Sequence, residues 1–352
     1  MTARATVARR RGEDGFREGA DELRRLLAQH GDVVIFGHKD ADGDTLGSSL
    51  AFAEGLRRSG HRAWIVIPPP HPQLYSWVPG FADLLAEPPG DVRDGIALFL
   101  DASNVERTEQ EAAHLGERSA VVNIDHHESN TRFGSLNLVD AGVAAVGQMC
   151  LRIFDQLQWE ITPTMATCLY AAVLTDTGGF RHANTDESVL RDAARLTALG
   201  ADPGGIAGQI YNSRPLSTMR LQSISLSSMQ VEAQGRIVWA RVTRQMLHRA
   251  GAVMAESEGI IDSLNSISGI SVAIVFKEVT ANLVKISVRS RDDVDAAAIC
   301  ATFGGGGHKR AAGAELRLSL GDAIDAVLGI ATEAIDASHE AAQAPPRGGP
   351  NT

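Results

Sequence analysis

Four short clusters in the first half of the chain carry side chains that can do chemistry: His38, Asp42 and Asp44; then Asp101; then Asp125, His126 and His127; then Asp176. Asp42 and Asp44 lie on either side of Gly43, so an extended loop can aim both carboxylates at one place. Asp125-His126-His127 follows an apolar run, Ala120-Val121-Val122, that reads as a buried strand. A single Asp–His pair at a strand end is ordinarily an ion pair. Recurrence changes that reading. His38, Asp42, Asp44, Asp101, His126 and Asp176 together offer four carboxylates and two imidazoles. Without cations, four carboxylates on one edge would repel or shift their pKa values. Oxygen and imidazole donors without thiolates suit two divalent ions, manganese first, with magnesium, cobalt or iron as alternatives and structural zinc disfavoured. Two such ions roughly 3.5–4 Å apart are a common device for hydrolysing phosphate esters: they acidify a bridging water, aim it in line and neutralise developing charge.

A second feature lies late in the chain, at Gly304-Gly305-Gly306-Gly307-His308-Lys309-Arg310. Four glycines let backbone amides face a shared concavity that suits an anion, although a flexible turn has the same composition. No Gly-Lys-Ser/Thr follows, so it is not an ATP-binding P-loop. Arg289 and Arg291, at the end of an expected strand, are either guanidinium partners for phosphate or a solvated strand end.

The elements that must position these groups are legible from periodicity. Gly15 to His30 reads as an amphipathic helix. Apolar strands are expected at Asp32–Gly37, Ala63–Ile67, Ile96–Leu100 and Ser119–Ile124. Thr45 is the expected cap of a helix running to about Ser59. Apolar helices follow at Ala141–Gln156 and Thr164–Leu174. Strands alternating with helices indicate an α/β fold with a doubly wound, mostly parallel sheet, and such sheets bind ligands beyond the carboxyl ends of their strands. All four clusters fall on that edge. The later strands, Arg236–Val242, Ser271–Lys277 and Leu283–Arg289, and the helices Ala296–Phe303 and Asp322–Ile335, suggest a second, smaller α/β domain with a mixed sheet. The expected boundaries are a catalytic domain at 1–205, a linker at 206–234, a second domain at 235–338 and a disordered tail at 339–352.

At 352 residues and 44% hydrophobic content, the chain can bury cores for two domains. No apolar run approaches the roughly 18 residues of a membrane span. The basic N-terminus is not followed by an apolar segment of the secretory kind, which leads to an expected cytoplasmic location. Cys150, Cys168 and Cys300 are far apart in apolar surroundings and read as reduced thiols. A net charge of −10 argues against a broad surface for duplex DNA but not against a small anionic substrate.

In order along the chain, HKDADGDTLGS, LFLDAS, NIDHHESN and LTDTGGF resemble the four motifs of the DHH phosphoesterase superfamily. GGGGHKRAAG, preceded by SVRSR, resembles that superfamily's DHHA1 substrate-binding domain. The resemblance runs from about Val33 to about Ile335 and is nearest to the NrnA-type branch of oligoribonucleases and 3′-phosphoadenosine-5′-phosphate (pAp) phosphatases. It implies a five-stranded parallel sheet and a homodimer. It also implies a metal-dependent hydrolase acting on short oligoribonucleotides, on pAp, and on linear or cyclic dinucleotides such as pApA and cyclic di-AMP. By position, it implies His38 and Asp42 on one metal, with Asp44, His126 and Asp176 on the other and Asp101 bridging. His127 would face the substrate phosphate and Asp125 would orient a histidine. Arg289, Gly305, Gly306, Gly307 and His308 match the positions that hold phosphate and nucleotide. Asp40, inside the first motif, adds a carboxylate beside the site, and Arg181 and His182, after the fourth, are either substrate contacts or loop packing. The rival readings are an inorganic pyrophosphatase or exopolyphosphatase, a RecJ-like single-strand exonuclease, and a nucleotide-sensing module that binds without cutting.

Overall fold

The computed structural model describes residues 3–90, 92, 95–109, 118–291 and 294–343, with side chains from residue 14 to 338. Two compact units make up the chain, Met1–Ser213 and Arg214–Thr352.

In the first unit, six strands run in parallel: β1 (Asp32–Phe36), β2 (Arg62–Val66), β3 (Leu84–Leu85), β4 (Ile96–Leu100), β5 (Ala120–Asp125) and β6 (Leu136–Val139). Their order is β3-β2-β1-β4-β5-β6, which adds one strand to the five that the resemblance implied. β3 has two residues, and half-buried β6, Leu-Asn-Leu-Val, mixes a polar residue into a short run. Neither leaves a strong periodic trace. β1 and β4 are apolar on both faces because both faces are covered. Val33, Ile35, Leu98 and Leu100 join the large core with the helices, while Val34, Phe36, Ala97 and Phe99 pack on the opposite side.

The strand order reverses between β1 and β4. The chain winds outward from β1 to β3 and then returns to place β4 on β1's other side. The crevice beyond the carboxyl ends of those two strands is the switch point at which ligands bind in such sheets. The loop carrying His38, Asp42 and Asp44 follows β1, and Asp101 follows β4.

The helix after β1 spans Gly43–Arg58, and its cap is Asp42 rather than Thr45. The Asp42 carboxylate accepts from the Asp44 and Thr45 amides, both at 3.0 Å. This helix packs on Pro163–Asp176 through Gly47, where an added Cβ would lie 2.3 Å from the Cys168 carbonyl oxygen and 3.0 Å from the Ala172 Cβ. That close crossing brings the first turn of one helix toward the last turn of the other, and so Asp44 toward Asp176. Gly47→Val is expected to cost about 2–3 kcal/mol, because overpacking here meets backbone rather than a side chain that can rotate away. Urea unfolding would read it, and an unchanged midpoint would mean that the crossing tolerates a branched side chain.

In the second unit, β7 (Gln230–Glu232), β8 (Ile237–Val242), β9 (Val272–Thr280), β10 (Leu283–Ser290), β11 (Gly306–His308) and β12 (Ala311–Leu316) form a sheet ordered β11-β12-β10-β9-β8-β7. β8 and β9 are parallel and the other pairs antiparallel, so the sheet is mixed, as expected. Helices Ala296–Ala301 and Leu320–Gln343 cover one face, with Ile274, Phe276, Ile286 and Val327 in the core between. Leu221, Ala250, Ile261 and Leu264, on three shorter helices, cover the other.

The stretch 206–234 carries most of a helix of the first unit, Pro203–Tyr211, and a helix of the second, Leu216–Leu226. Ile206, Ile210 and Leu221 anchor them in their respective cores. The final helix continues to Gln343, and the rest of the expected tail, 344–352, lies outside the described residues. No helix among the described residues is long and apolar enough to cross a membrane.

Candidate metal and phosphate site

Asp101 sits at the centre. It is the first residue beyond β4, and its amide donates to the Ile124 carbonyl at 3.1 Å, extending the β4–β5 ladder by one bond. Its φ is +58°, in the left-handed region that aspartate and asparagine tolerate better than most residues. The turn aims a carboxylate with 2% exposure into the cluster. There, His38 Nε2 lies 3.4 Å from Asp101 Oδ2 and 4.0 Å from Asp42 Oδ2. His126 Nε2 lies 3.6 Å from Asp101 Oδ1 and 3.3 Å from Asp176 Oδ2. Thr45 Oγ1 donates to Asp101 Oδ2 at 2.6 Å.

Asp44 is fully buried, and its geometry is set by a distant helix. Its Oδ2 accepts from the Val146 amide at 2.6 Å, and its Oδ1 accepts from the Gly147 amide at 2.9 Å and from Ser48 Oγ at 3.0 Å. Val146 and Gly147 open the helix Val146–Leu157, whose own cap residue, Ala145, has no side chain that can accept. The His126 ring is fixed by the Val143 carbonyl, 3.4 Å from Nδ1, which leaves Nε2 turned inward.

All six residues expected as metal ligands therefore converge. Ligand atoms of His38, Asp42 and Asp101 lie within 4.8 Å of one another, as do those of Asp44, Asp101 and His126, and Asp101 belongs to both groups. Asp176 joins the second through His126.

The electrostatics of the cluster suit added positive charge. Burial pushes the Asp44 carboxyl well above its usual range, and the charges of Asp101 and Asp42 push it further. Burial does the same to Asp176, with Asp44, Asp42 and Asp101 adding to it. Asp101 goes the other way: burial opposes its charge, but the His38 hydrogen bond and the nearby imidazoles outweigh it and hold the group well below the usual range. Asp101 Oδ1 and His38 Nδ1 are buried and have no hydrogen-bond partner among the described residues. Buried acceptors are rarely left unpaired, so a donor set of carboxylates and imidazoles with an orphaned oxygen at its centre fits divalent cations.

His127 stands beside the ligands. Its Nδ1 lies 2.8 Å from Asp125 Oδ1, and Asp125 Oδ2 accepts from Asn130 Nδ2 at 2.6 Å. Asn130 in turn reaches Asn123 Oδ1 at 2.7 Å, and Asn123 Nδ2 donates to the Ala102 carbonyl at 3.1 Å. Asp125 thus orients His127 from behind. Burial opposes charge on His127, and Arg107 adds to that opposition, but the Asp125 hydrogen bond and the Asp101 charge prevail and raise its pKa. Sequence reasoning missed Asn123, Asn130, Arg107 and the Thr45–Asp101 bond. Asn130 is within NIDHHESN, so proximity was a signal for it; Arg107, in a short polar run, offered none.

In the second unit, the glycine run is an edge strand rather than a loose turn. Gly306, Gly307 and His308 pair with Gly313, Ala312 and Ala311. An added Cβ on Gly305 would meet the Gly313 carbonyl oxygen at 2.2 Å, so only glycine lets the chain lie that close. Ala311 also pairs with Arg289 on β10, which places Arg289 and His308 in one row across β12. Arg291 is different: it donates to the Asn265 and Ile267 carbonyls and so serves as a backbone anchor. Near the first-unit cluster, Arg181 Nε donates to the Gly178 carbonyl at 2.6 Å and His182 Nδ1 lies 3.4 Å from the Asp176 carbonyl oxygen. Both side chains are exposed.

Known proteins agree with this layout. A family model described as "DHH family, N-terminal domain" matches residues 32–173, and one described as "DHHA1 domain" matches residues 235–337. The bifunctional oligoribonuclease and PAP phosphatase NrnA of Thermus thermophilus is 36% identical over 306 residues, spanning 86% of this chain and 90% of that protein. The Bacillus subtilis protein of the same name is 24% identical over 300 residues, spanning 84% and 92%. The crystal structure of an exopolyphosphatase-related protein from Bacteroides fragilis shares the fold, with a TM-score of 0.85, 22% identity, and coverage of 92% of this chain and 98% of that one. The identity to the Thermus relative, sustained over both domains, places the chain in the DHH family, with a DHHA1 domain following the DHH domain.

Proposed function

We propose that this chain is a metal-dependent phosphoesterase that hydrolyses short oligoribonucleotides, pApA and cyclic di-AMP among its dinucleotide substrates, and removes the 3′-phosphate of pAp. The observation that carries the proposal is the pair of three-residue groups sharing Asp101 at a switch point of a parallel sheet. His38 and Asp42 would hold one cation and Asp44, His126 and Asp176 a second, with Asp101 contributing to both. Bound there, two divalent ions, manganese by the donor set, supply Lewis-acid polarisation of the phosphate and acidify water. The chain's own part is to fix the geometry, through the Asp42 cap, the Asp44 clasp and the Val143 hold on His126. His127, kept in one orientation by Asp125, offers a proton at Nε2 toward the leaving oxygen. In the DHHA1 domain, Arg289 and Gly305 to His308 bind a phosphate or base. The relatives' names support oligoribonucleotides and pAp among these substrates. A homodimer belongs to the same reading, and light scattering would test it.

The experiment is turnover of pAp, pApA, cyclic di-AMP, a 20-residue RNA and pyrophosphate with manganese, magnesium and cobalt in turn. Preference for pAp and dinucleotides under manganese is the expected result. Preference for pyrophosphate or for the long strand would replace the reading with one of its enzymatic rivals, and tight binding without turnover would indicate a sensor. Asp125→Asn is expected to lower kcat roughly 10–100-fold while leaving manganese affinity nearly unchanged, since it removes an orienting partner and not a ligand. An unaltered kcat would take Asp125 out of that role.

A further inference from the structure

Arg107 is a cation beside the acid cluster whose position the ligand assignments do not use. It lies in a single 3-10 turn, Glu106–Thr108, soon after Asp101. That turn is tied down on three sides. Asn104 Oδ1 accepts from the Arg107 amide at 3.0 Å, and Thr108 Oγ1 donates to the Val105 carbonyl at 2.8 Å. The Lys39 amide donates to the Arg107 carbonyl at 2.8 Å, which joins the turn to the loop bearing His38, Asp42 and Asp44.

The half-buried guanidinium brings Nη1 within 3.3 Å of His127 Nε2. His127 Nδ1 is committed to Asp125, so the ring's outer nitrogen and the guanidinium face each other at the border of the cluster. Among the described residues, no carboxylate forms an ion pair with Arg107. Partly desolvated cations normally sit against a counter-charge. The guanidinium is set against an imidazole instead. An anion brought by a ligand fits that deficit.

We infer that Arg107 binds a non-bridging oxygen of the scissile phosphate, beside His127. The inference rests on the phosphoesterase reading and deepens it, because it makes Arg107 a residue that touches substrate. A guanidinium presents two parallel N–H donors to a phosphate, which a lysine ammonium cannot reproduce. In the substrate-free protein one of those donors rests on His127 Nε2. An arriving phosphate oxygen takes that donor over and frees His127 Nε2.

The test uses the full chain loaded with manganese, with inorganic phosphate as the probe. Arg107→Ala is expected to weaken phosphate binding roughly 10–100-fold, the scale of a lost hydrogen bond to a charged group. kcat/KM for pAp should fall by a similar factor, with manganese affinity, measured calorimetrically without phosphate, staying within about twofold. Arg107→Lys should recover only part of the loss, and millimolar guanidinium should restore turnover to Arg107→Ala. A merely structural arginine would show neither rescue. Phosphate binding unchanged in Arg107→Ala, or manganese affinity falling in step with it, overturns the inference. So does a manganese-loaded wild type that takes up no phosphate. A wild type that binds phosphate but cleaves no ester sinks the phosphoesterase reading alone, and the phosphate titration still decides Arg107.

Discussion

Asp101→Asn is expected to abolish hydrolysis, lowering kcat by about 10³-fold or more and leaving the protein folded. Asparagine is the informative replacement. It tolerates the left-handed backbone that Asp101 adopts at φ +58°, whereas alanine would add backbone strain of about 1–2 kcal/mol. It keeps the side chain's shape and can still accept from Thr45 Oγ1 through its amide oxygen. What it removes is the charge shared by both groups of ligands. The loss should therefore appear as fewer manganese ions bound per chain, counted by native mass spectrometry, together with the drop in kcat. If turnover stays within tenfold of wild type at saturating manganese, Asp101 does not bridge and the two-ion arrangement fails with it.

Stripping the metal should reverse the way this protein's stability responds to pH. Asp44 and Asp176 are buried among like charges, and their carboxyl pKa values are raised well above the usual 3.8. A carboxyl with a raised folded pKa favours the folded state while it is protonated. It disfavours that state progressively as pH rises from the unfolded pKa toward the folded one. His127, also raised, stabilises below its unfolded value of 6.5 and loses that contribution as pH climbs through its folded pKa. The signs agree: in chelated protein the share of Tm set by these groups should fall as pH rises above 3.8, with the His127 part lost above 6.5. Cation binding needs those carboxylates ionised, so manganese should gain affinity over the same range. At a manganese concentration about a hundredfold above its dissociation constant, stabilisation of about 2.7 kcal/mol is expected. For a unit of this size that corresponds to a rise in Tm of about 5–10 °C. Differential scanning fluorimetry with and without chelator at three pH values would show it. Curves that coincide would mean that no cation relieves the crowding.

Much of this was open to reading because buried strands of a doubly wound sheet are continuous apolar runs, and chemistry collects at their carboxyl ends. β1, β4 and β5 showed themselves through Val33–Phe36, Ile96–Leu100 and Ala120–Ile124, and the polar residues after each were the expected ligands. What stayed hidden was set by contacts between distant segments. β6 is short and interrupted by Asn137, and β11 is glycine-rich, so neither has a period or a propensity to detect. Thr45 was a plausible cap by type. Asp42 took that position because its carboxylate reaches two amides, which turned the Thr45 hydroxyl inward to Asp101. Asn123 and Asn130 are ordinary polar residues whose significance exists only once Asp125 lies between them and His127. Arg107 required the fold to bring its turn against the DHH motif.

The clasp that Asp44 makes on Val146 and Gly147 has an evolutionary reach of its own. Three donors converge on that carboxylate from the backbone and from Ser48. An amide side chain would turn its own NH₂ against one of them whichever way it flipped. The position is thus held acidic by architecture as well as by chemistry. A descendant that had abandoned hydrolysis would still be under pressure to keep an aspartate there, whereas Asp176, whose carboxylate among the described residues meets His126 across 3.3 Å and no backbone donor, would be released to drift. Loss of the second acid with retention of the first would be the scar of a retired enzyme.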